Sequence, residues 1–265
     1  MRKLMSLAAS AVMAAAGLTA MAGSPAQAAE ELQYVALGDS YASGVGAGNY
    51  DPAGGDCKRS ANSYPSLLQR AHSEYKLTDV SCSGATIEDV RANQLSAVNG
   101  DTDVVTVTVG GNDAQFSTVA ADCLLKTDSY CKSSTAMASY YARNQLVTEL
   151  AGLYADIKER APQAEIVVLG YPRVISETGT CPLIDLSADK RTYMNGYADA
   201  LTEGTEAAAA EQSVTFVDVR DAFQGHGACG SDSWINDLTN LSEVFHPTAA
   251  GYESGYYPQL DKTLA

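Results

Sequence analysis

The chain has 265 residues and a formal net charge of −15 at pH 7, from 32 acidic and 17 basic side chains. A surface this acidic repels phosphate backbones and anionic lipid headgroups, so we expect no nucleic-acid binding and no charge-driven membrane docking. The same charge favours solubility and identifies no substrate.

The N-terminal segment has the pattern of an export signal. Arg2 and Lys3 precede an alanine-rich apolar stretch, and Ala26-Gln27-Ala28 fits the small-x-small cleavage rule. A membrane anchor is the alternative, but the stretch is interrupted by Ser, Gly and Thr and ends at the cleavage site. We predict a signal peptide over residues 1–28 and one secreted domain over 29–265, without stable membrane insertion, because no later stretch is apolar enough to span a bilayer.

All the cysteines lie after the predicted signal: Cys57, Cys82, Cys123, Cys131, Cys181 and Cys229. An even number of cysteines in an oxidising compartment indicates disulfides, and local spacing favours only Cys123–Cys131. The sequence has no Cys-x-x-Cys pair, no cluster of Cys with His and no nucleotide-binding fingerprint. We therefore expect no metal and no other cofactor.

Short apolar segments rich in β-branched residues alternate with helical patterns. The predicted strands are Leu32–Leu37, Leu77–Cys82, Val104–Val109, Ile166–Leu169 and Val214–Val219. The predicted helices are Tyr64–Tyr75, Thr86–Leu95, Met137–Arg160, Ser187–Glu211 and a last helix from Pro247 toward Leu260. This alternation predicts an α/β fold with a parallel five-stranded sheet and helices on both faces.

Polar or glycine residues that suit acyl transfer follow these strands. Ser40, in Gly38-Asp39-Ser40-Tyr41, follows the first strand, Gly84 follows the second and Asn112 follows the third. His246 lies between the last strand and the last helix. Because the carboxyl ends of parallel strands form the crevice of an open α/β sheet, we expect these residues to converge at one rim.

A serine nucleophile needs a base, and the chain has three histidines. His72 lies in a predicted helix among polar neighbours, which suits a solvated face. His226 lies in a glycine-rich loop where nothing fixes it. His246 precedes a proline that opens a helix, so it is the preferred base for Ser40.

Attack on an ester carbonyl builds a negative oxygen that preorganised donors stabilise. The candidate donors are the backbone N–H groups of Ser40 and Gly84 and the side-chain amide of Asn112. Taken singly, each of these residues is more simply explained as part of a turn. Together they fill every position that the reaction needs. The neighbouring glycine-rich segment Gly44–Gly48 is interpreted as a flexible rim of the cleft.

These blocks resemble the motifs of the GDSL, or SGNH, hydrolase family. They are Gly38-Asp39-Ser40-Tyr41, Gly84, Gly111-Asn112-Asp113 and His246-Pro247, and they span nearly all of the chain after the signal. With the export signal and the cysteines, the chain is similar to secreted actinobacterial (Streptomyces-type) lipases and esterases. The G-x-S-x-G elbow of ordinary α/β-hydrolases is absent.

The resemblance implies a three-layer α/β/α sandwich of the flavodoxin-like, SGNH-hydrolase type. It implies Ser40 as nucleophile, His246 as base, and Ser40, Gly84 and Asn112 as oxyanion-hole donors. It also implies disulfides between neighbours in the sequence: Cys57–Cys82, Cys123–Cys131 and Cys181–Cys229.

The function that this resemblance implies is hydrolysis of acyl esters or lipids through an acyl-enzyme on Ser40, by a monomer, with lipase activity favoured. A carbohydrate acetylesterase and a phospholipase of the same fold are alternatives. A secreted binding protein without catalysis is the third, and the filled catalytic positions argue against it.

One position departs from the family pattern. The family usually has Asp three residues before the histidine, where this chain has Glu243. Either the longer Glu243 side chain or a backbone carbonyl within 242–244 is a candidate for orienting His246. We hypothesise a Ser–His dyad that the main chain orients.

Overall fold

The structure is a computed structural model that describes residues 31–265, which form one unit by their contacts. The predicted signal peptide, 1–28, lies outside the described residues. Within 31–265, no helix combines the length and the apolar character that crossing a bilayer requires.

Five parallel strands form one sheet in the order β2-β1-β3-β4-β5. The strands are β1 (Leu32–Gly38), β2 (Tyr75–Asp79), β3 (Val104–Thr108), β4 (Glu165–Leu169) and β5 (Thr215–Val217). This strand order is the flavodoxin-like one. The predicted fold class is therefore confirmed.

The central strands are covered on both faces. Every residue of β3 is buried, as are Ala36 and Leu37 of β1 and Val167 to Leu169 of β4. A strand buried on both sides reads as a continuous apolar run, which is why these strands are visible in the sequence. The edge strands β2 and β5 are half-exposed, and their predicted bounds were the least accurate.

Eight α-helices surround the sheet in the described part of the chain. They are α1 (Ser40–Ser43), α2 (Tyr64–Ala71), α3 (Ile87–Asp89), α4 (Phe116–Leu125), α5 (Asp128–Arg143), α6 (Gln145–Arg160), α7 (Ala188–Gln212) and α8 (Tyr257–Leu264). Segments of 3₁₀-helix cover Pro52–Cys57 and Leu95–Ala97, and π-helical segments cover Val90–Gln94 and Gly251–Tyr256. Helix α2 packs against α8, whereas α6 packs against α3 and α7.

The predicted helix Met137–Arg160 is wrong in its extent, because it is two helices that meet at Asn144. The backbone of Asn144 leaves the helical region, with φ −125° and ψ −77°. Helix α5 begins earlier, at Asp128, where the Thr127 side chain accepts a hydrogen bond from the Tyr130 N–H. Its first half buries small and polar residues, so hydrophobic periodicity did not reveal it.

The predicted helix Tyr64–Tyr75 is also too long. Helix α2 ends at Ala71, and His72 already has an extended ψ of 97°. The imidazole of His72 pairs with Asp261 of α8, so it joins two elements instead of lying on a solvated helix face.

Three disulfides are present, and their pairs are those that the family resemblance implies: Cys57–Cys82, Cys123–Cys131 and Cys181–Cys229. The first ties the segment after α1 to the segment after β2. The second joins α4 to α5, and the third joins the loops that follow β4 and β5.

Candidate active site

A sharp turn between β1 and α1 presents Ser40. Gly38 has a φ of +126°, and a Cβ at this position would lie 2.1 Å from the Thr108 carbonyl oxygen, so only glycine fits. Asp39 caps α1, because its side chain accepts a hydrogen bond from the Tyr41 N–H at 2.9 Å. Ser40 is thus the first residue of the helix, at the carboxyl end of β1.

Ser40 and His246 form a hydrogen-bonded pair. The distance between Ser40 Oγ and His246 Nε2 is 2.8 Å. The other ring nitrogen, Nδ1, lies 3.1 Å from the Val244 carbonyl oxygen. A carbonyl only accepts, so Nδ1 carries the proton and Nε2 is left as an acceptor that faces the serine hydroxyl.

The Glu243 carboxylate is engaged away from the imidazole. One oxygen accepts from the Tyr50 hydroxyl at 2.6 Å, and the other accepts from the Asn240 side-chain amide at 2.8 Å. The main chain of Glu243 does contribute, because its carbonyl accepts from the His246 N–H at 3.1 Å. The groups that orient the imidazole are therefore backbone groups of the loop before it.

The loop that carries His246, called the histidine loop below, is held on two sides. The Tyr41 hydroxyl donates to the Phe245 carbonyl at 2.6 Å, and the Asn236 amide donates to the carbonyls of His246 and Gly46 at 3.0 Å. A Cβ on Gly46 would lie 2.5 Å from the Asn236 side chain. Gly46 therefore packs tightly against the histidine loop, where the sequence predicted a flexible rim.

The candidate oxyanion donors line the same pocket as the Ser–His pair. Gly84 has a φ of +82°, which glycine adopts without strain. Asn112 donates one amide hydrogen to the Ala85 carbonyl at 2.9 Å, which leaves its second amide hydrogen for a ligand. Ser40, Gly84, Asn112 and His246 surround a pocket of about 210 Å³.

The pKa values of two groups in the site depart from their ordinary values. Burial lowers the pKa of His246 to about 4, and the hydrogen bond to the Val244 carbonyl opposes this shift only in part. Burial raises the pKa of Asp39 to about 7, against the opposing effect of hydrogen bonds from Tyr171 and Tyr41. At neutral pH the imidazole is therefore uncharged and able to accept a proton.

Three residues that sequence reasoning missed support this arrangement. The Gln94 amide bonds both the N–H and the carbonyl of Gly38, at 2.7 and 2.9 Å, and Asn236 holds the histidine loop. The Tyr171 hydroxyl donates a hydrogen bond to Asp39 at 2.7 Å. No sequence pattern marks Gln94 or Asn236. Tyr171, however, closely follows the predicted fourth strand, and the carboxyl ends of such strands form the crevice of an open α/β sheet. His226, by contrast, stacks on Trp234 and is not among the residues that line the pocket.

A flavodoxin-like sheet with a Ser–His pair and amide donors at its carboxyl edge defines an α/β protein of the SGNH-hydrolase type. A sequence model of the GDSL-like Lipase/Acylhydrolase family matches residues 36–253. The chain therefore belongs to that family, and the resemblance seen in its motifs is confirmed.

Relatives of this family cover nearly the whole chain. Lipase 1 of Streptomyces coelicolor is 43% identical over 257 residues, with 95% of each chain covered. The crystal structure of the extracellular lipase from Streptomyces rimosus is 42% identical, with a TM-score of 0.83, and the match covers 87% of this chain and 99% of that one. The crystal structure of phospholipase A1 from Streptomyces albidoflavus is 40% identical, with a TM-score of 0.83 and 88% and 99% covered.

Proposed function

We propose that this protein is a secreted serine esterase of the lipase type, which hydrolyses carboxylic esters through an acyl-enzyme on Ser40. The observation that carries the proposal is the 2.8 Å contact between Ser40 Oγ and the neutral His246 imidazole, inside a pocket that Gly84 and Asn112 also line. Family membership and the names of the relatives support the same conclusion.

The first half-reaction transfers the acyl group to the enzyme. As Ser40 Oγ attacks the ester carbonyl carbon, His246 Nε2 takes the hydroxyl proton. The carbonyl oxygen becomes negative and accepts hydrogen bonds from the N–H groups of Ser40 and Gly84 and from the Asn112 amide. The C–O bond to the alcohol then breaks, and the imidazolium gives its proton to the leaving alkoxide.

The second half-reaction returns the enzyme to its starting state. His246 takes a proton from water as the water oxygen attacks the acyl-enzyme carbonyl, and the same donors hold the second oxyanion. When the bond to Ser40 Oγ breaks, the imidazolium protonates the serine and the carboxylic acid leaves. Each oxyanion donor is expected to contribute roughly 10²–10³ in rate.

The substrate class is narrowed by the relatives. They are named lipase and phospholipase A1, so long-chain acyl esters, including phospholipids, are the substrates we propose. A carbohydrate acetylesterase remains the alternative, and a preference for acetylated sugars over longer acyl chains would identify it. Secretion is supported by the N-terminal sequence pattern, by three disulfides and by the extracellular relative. The expected monomer stays a prediction.

The experiment is hydrolysis of p-nitrophenyl esters from acetyl to palmitoyl by the purified secreted form, with Ser40→Ala and His246→Ala alongside. We expect each variant to lose a factor of about 10⁴ or more in kcat, because a serine and its base act as a unit. A fluorophosphonate should label the wild-type protein and not Ser40→Ala. Activity that survives Ser40→Ala would refute the proposal, and a chain-length optimum at acetyl would favour the acetylesterase.

A further inference from the structure

A buried hydroxyl joins the two loops that carry the catalytic groups. Strands β1 and β3 pair as far as Gly38 and Thr108, and the Asp39 N–H still bonds the Thr108 carbonyl at 2.8 Å. Beyond this point the two segments diverge: β1 continues into the Ser40 turn, and β3 continues into the loop that carries Asn112. The side chain of Tyr171, which follows β4, lies across the gap.

The Tyr171 hydroxyl contacts both loops. It lies 2.7 Å from Asp39 Oδ2 and 3.0 Å from the Gly111 nitrogen. A Cβ on Gly111 would lie 3.4 Å from the tyrosine hydroxyl, an ordinary van der Waals distance, so the two groups are in close contact without strain. Tyr171 is itself fixed, since the Thr202 hydroxyl bonds both its N–H and its carbonyl.

The directions of these hydrogen bonds follow from the chemistry of the groups. The Gly111 N–H can only donate, so the Tyr171 oxygen accepts from it and the tyrosine proton is donated to Asp39 Oδ2. Asp39 Oδ1 accepts from the Tyr41 N–H. Each carboxylate oxygen of Asp39 therefore accepts a hydrogen bond. If either oxygen were protonated, its O–H would face the O–H of Tyr171 or the N–H of Tyr41, and that hydrogen bond would be lost.

We propose that Tyr171 is a positioning residue that holds the Ser40 turn, through Asp39, and the Asn112 loop, through Gly111, in the relative placement that the oxyanion requires. This inference rests on the proposed function. Tyr171 acts through its two partners: Asp39 precedes the nucleophile, and Gly111 precedes the side-chain donor. A small error in this placement is costly, because a displacement of about 1 Å reduces a rate by roughly 10²-fold.

The hydroxyl also favours the ionised form of Asp39. Burial raises the pKa of Asp39, and the bond from Tyr171 opposes the rise. The titratable groups around it are Tyr41 on its own turn, Asp113 after β3, Tyr64 on α2, Tyr252 and Tyr256 before α8, and His246, whose ring lies against Tyr41. Burial raises the pKa of each of these tyrosines, so they stay neutral where Asp39 titrates.

The test compares Tyr171→Phe with Tyr34→Phe, which also removes one buried, hydrogen-bonded hydroxyl, but one whose partner is Thr106 and not Asp39. We expect Tyr171→Phe to lower kcat about 10- to 100-fold on a p-nitrophenyl ester, with KM changed less than threefold. Without the hydroxyl the pKa of Asp39 rises. The acid limb of the pH profile of kcat/KM should therefore shift to higher pH by about one unit. Tyr34→Phe should leave the kinetics and the limb unchanged.

Asp39→Asn completes the experiment. This variant should lower kcat and abolish the acid limb that shifts in Tyr171→Phe. The double variant should be no slower than the slower single variant, because both changes break the same hydrogen-bonded path from Gly111 through Tyr171 to Asp39. If Tyr171→Phe does not fold, Asp39→Asn alone decides, and an unchanged pH profile overturns the inference.

Wild type and Ser40→Ala are measured alongside, so that the two proposals fail separately. An inactive wild type or an active Ser40→Ala refutes the proposed function. An active wild type with an inactive Ser40→Ala, and a Tyr171→Phe that keeps kcat and the limb, overturns only the positioning role. The positioning role is also overturned if Tyr171→Phe lowers kcat without shifting the acid limb of the pH profile and melts at a temperature far below that of Tyr34→Phe. Such a variant would have lost stability as a whole.

Discussion

At the scale of single residues, the main chain orients the imidazole of the proposed base, His246. His246 receives its tautomer from the Val244 carbonyl at 3.1 Å, and a carboxylate that would stabilise the imidazolium is directed elsewhere. A carbonyl dipole attracts a cationic ring less than a full negative charge does, which agrees with a pKa of His246 that burial lowers to about 4. The site therefore keeps its base neutral over a wide pH range.

Replacing Glu243 with Ala tests this main-chain orientation. We expect kcat to fall less than about tenfold, because the carboxylate bonds Tyr50 and Asn240 and not the imidazole. The lost hydrogen bonds should cost about 1–2 kcal/mol of unfolding free energy. The measurements are ester hydrolysis and urea unfolding.

His246→Ala is the matched control for this variant, because it removes the proposed base itself. A loss in Glu243→Ala as large as that in His246→Ala would contradict the dyad hypothesis and return the carboxylate to the catalytic unit.

At the scale of elements, helices α5 and α7 meet at a backbone contact. Gly204 of α7 is buried, and a Cβ on it would lie 2.1 Å from the Ala142 carbonyl oxygen of α5. Helix α7 also carries Thr202, which fixes Tyr171, and Tyr197, which donates to the Ala114 carbonyl at 2.6 Å. The close packing of this helix thus supports the loops of the site.

We expect Gly204→Ala to lower the unfolding free energy by about 1–3 kcal/mol, because the methyl group must push the helices apart. Gly196→Ala, in the same helix, is the control: a Cβ there meets no atom within 4 Å. That variant should gain about 0.5–1 kcal/mol, since Ala favours the helix over Gly. Chemical denaturation measures both, and equal effects would show that the contact is not tight.

At the scale of the whole molecule, the disulfides close segments of very different length. Cys181–Cys229 spans 48 residues and Cys123–Cys131 spans 8. A longer closed loop restricts the unfolded chain more, so its removal should cost more stability. The difference that loop entropy gives is roughly 1–2 kcal/mol.

The experiment replaces each pair of cysteines with alanine and measures urea unfolding. The variant without Cys181–Cys229 should be the less stable of the two. The opposite order would mean that native-state contacts, and not loop closure, determine what these disulfides contribute.

The parts of the fold that the sequence predicted are those with a local cause. Central strands buried on both faces appear as apolar runs in the sequence. Because Ser40, Gly84 and Asn112 each follow a strand of a parallel sheet, the sequence also placed them together at the carboxyl edge of that sheet. Helix α5 was missed in part, because its buried first half lacks apolar periodicity. The predicted end of α2 was wrong, and the contact of the His72 side chain was missed because its partner, Asp261, lies 189 residues away.

By itself, the sequence determined the fold class and the family and predicted the four residues of the candidate site, because these depend on periodicity and on short motifs. Tertiary structure decided which group faces His246 Nδ1 and that Tyr171 bridges Asp39 and Gly111. These contacts depend on hydrogen-bond directions between segments that are far apart in the chain. No local pattern encodes such directions, and only the packed structure brings the atoms within reach of one another.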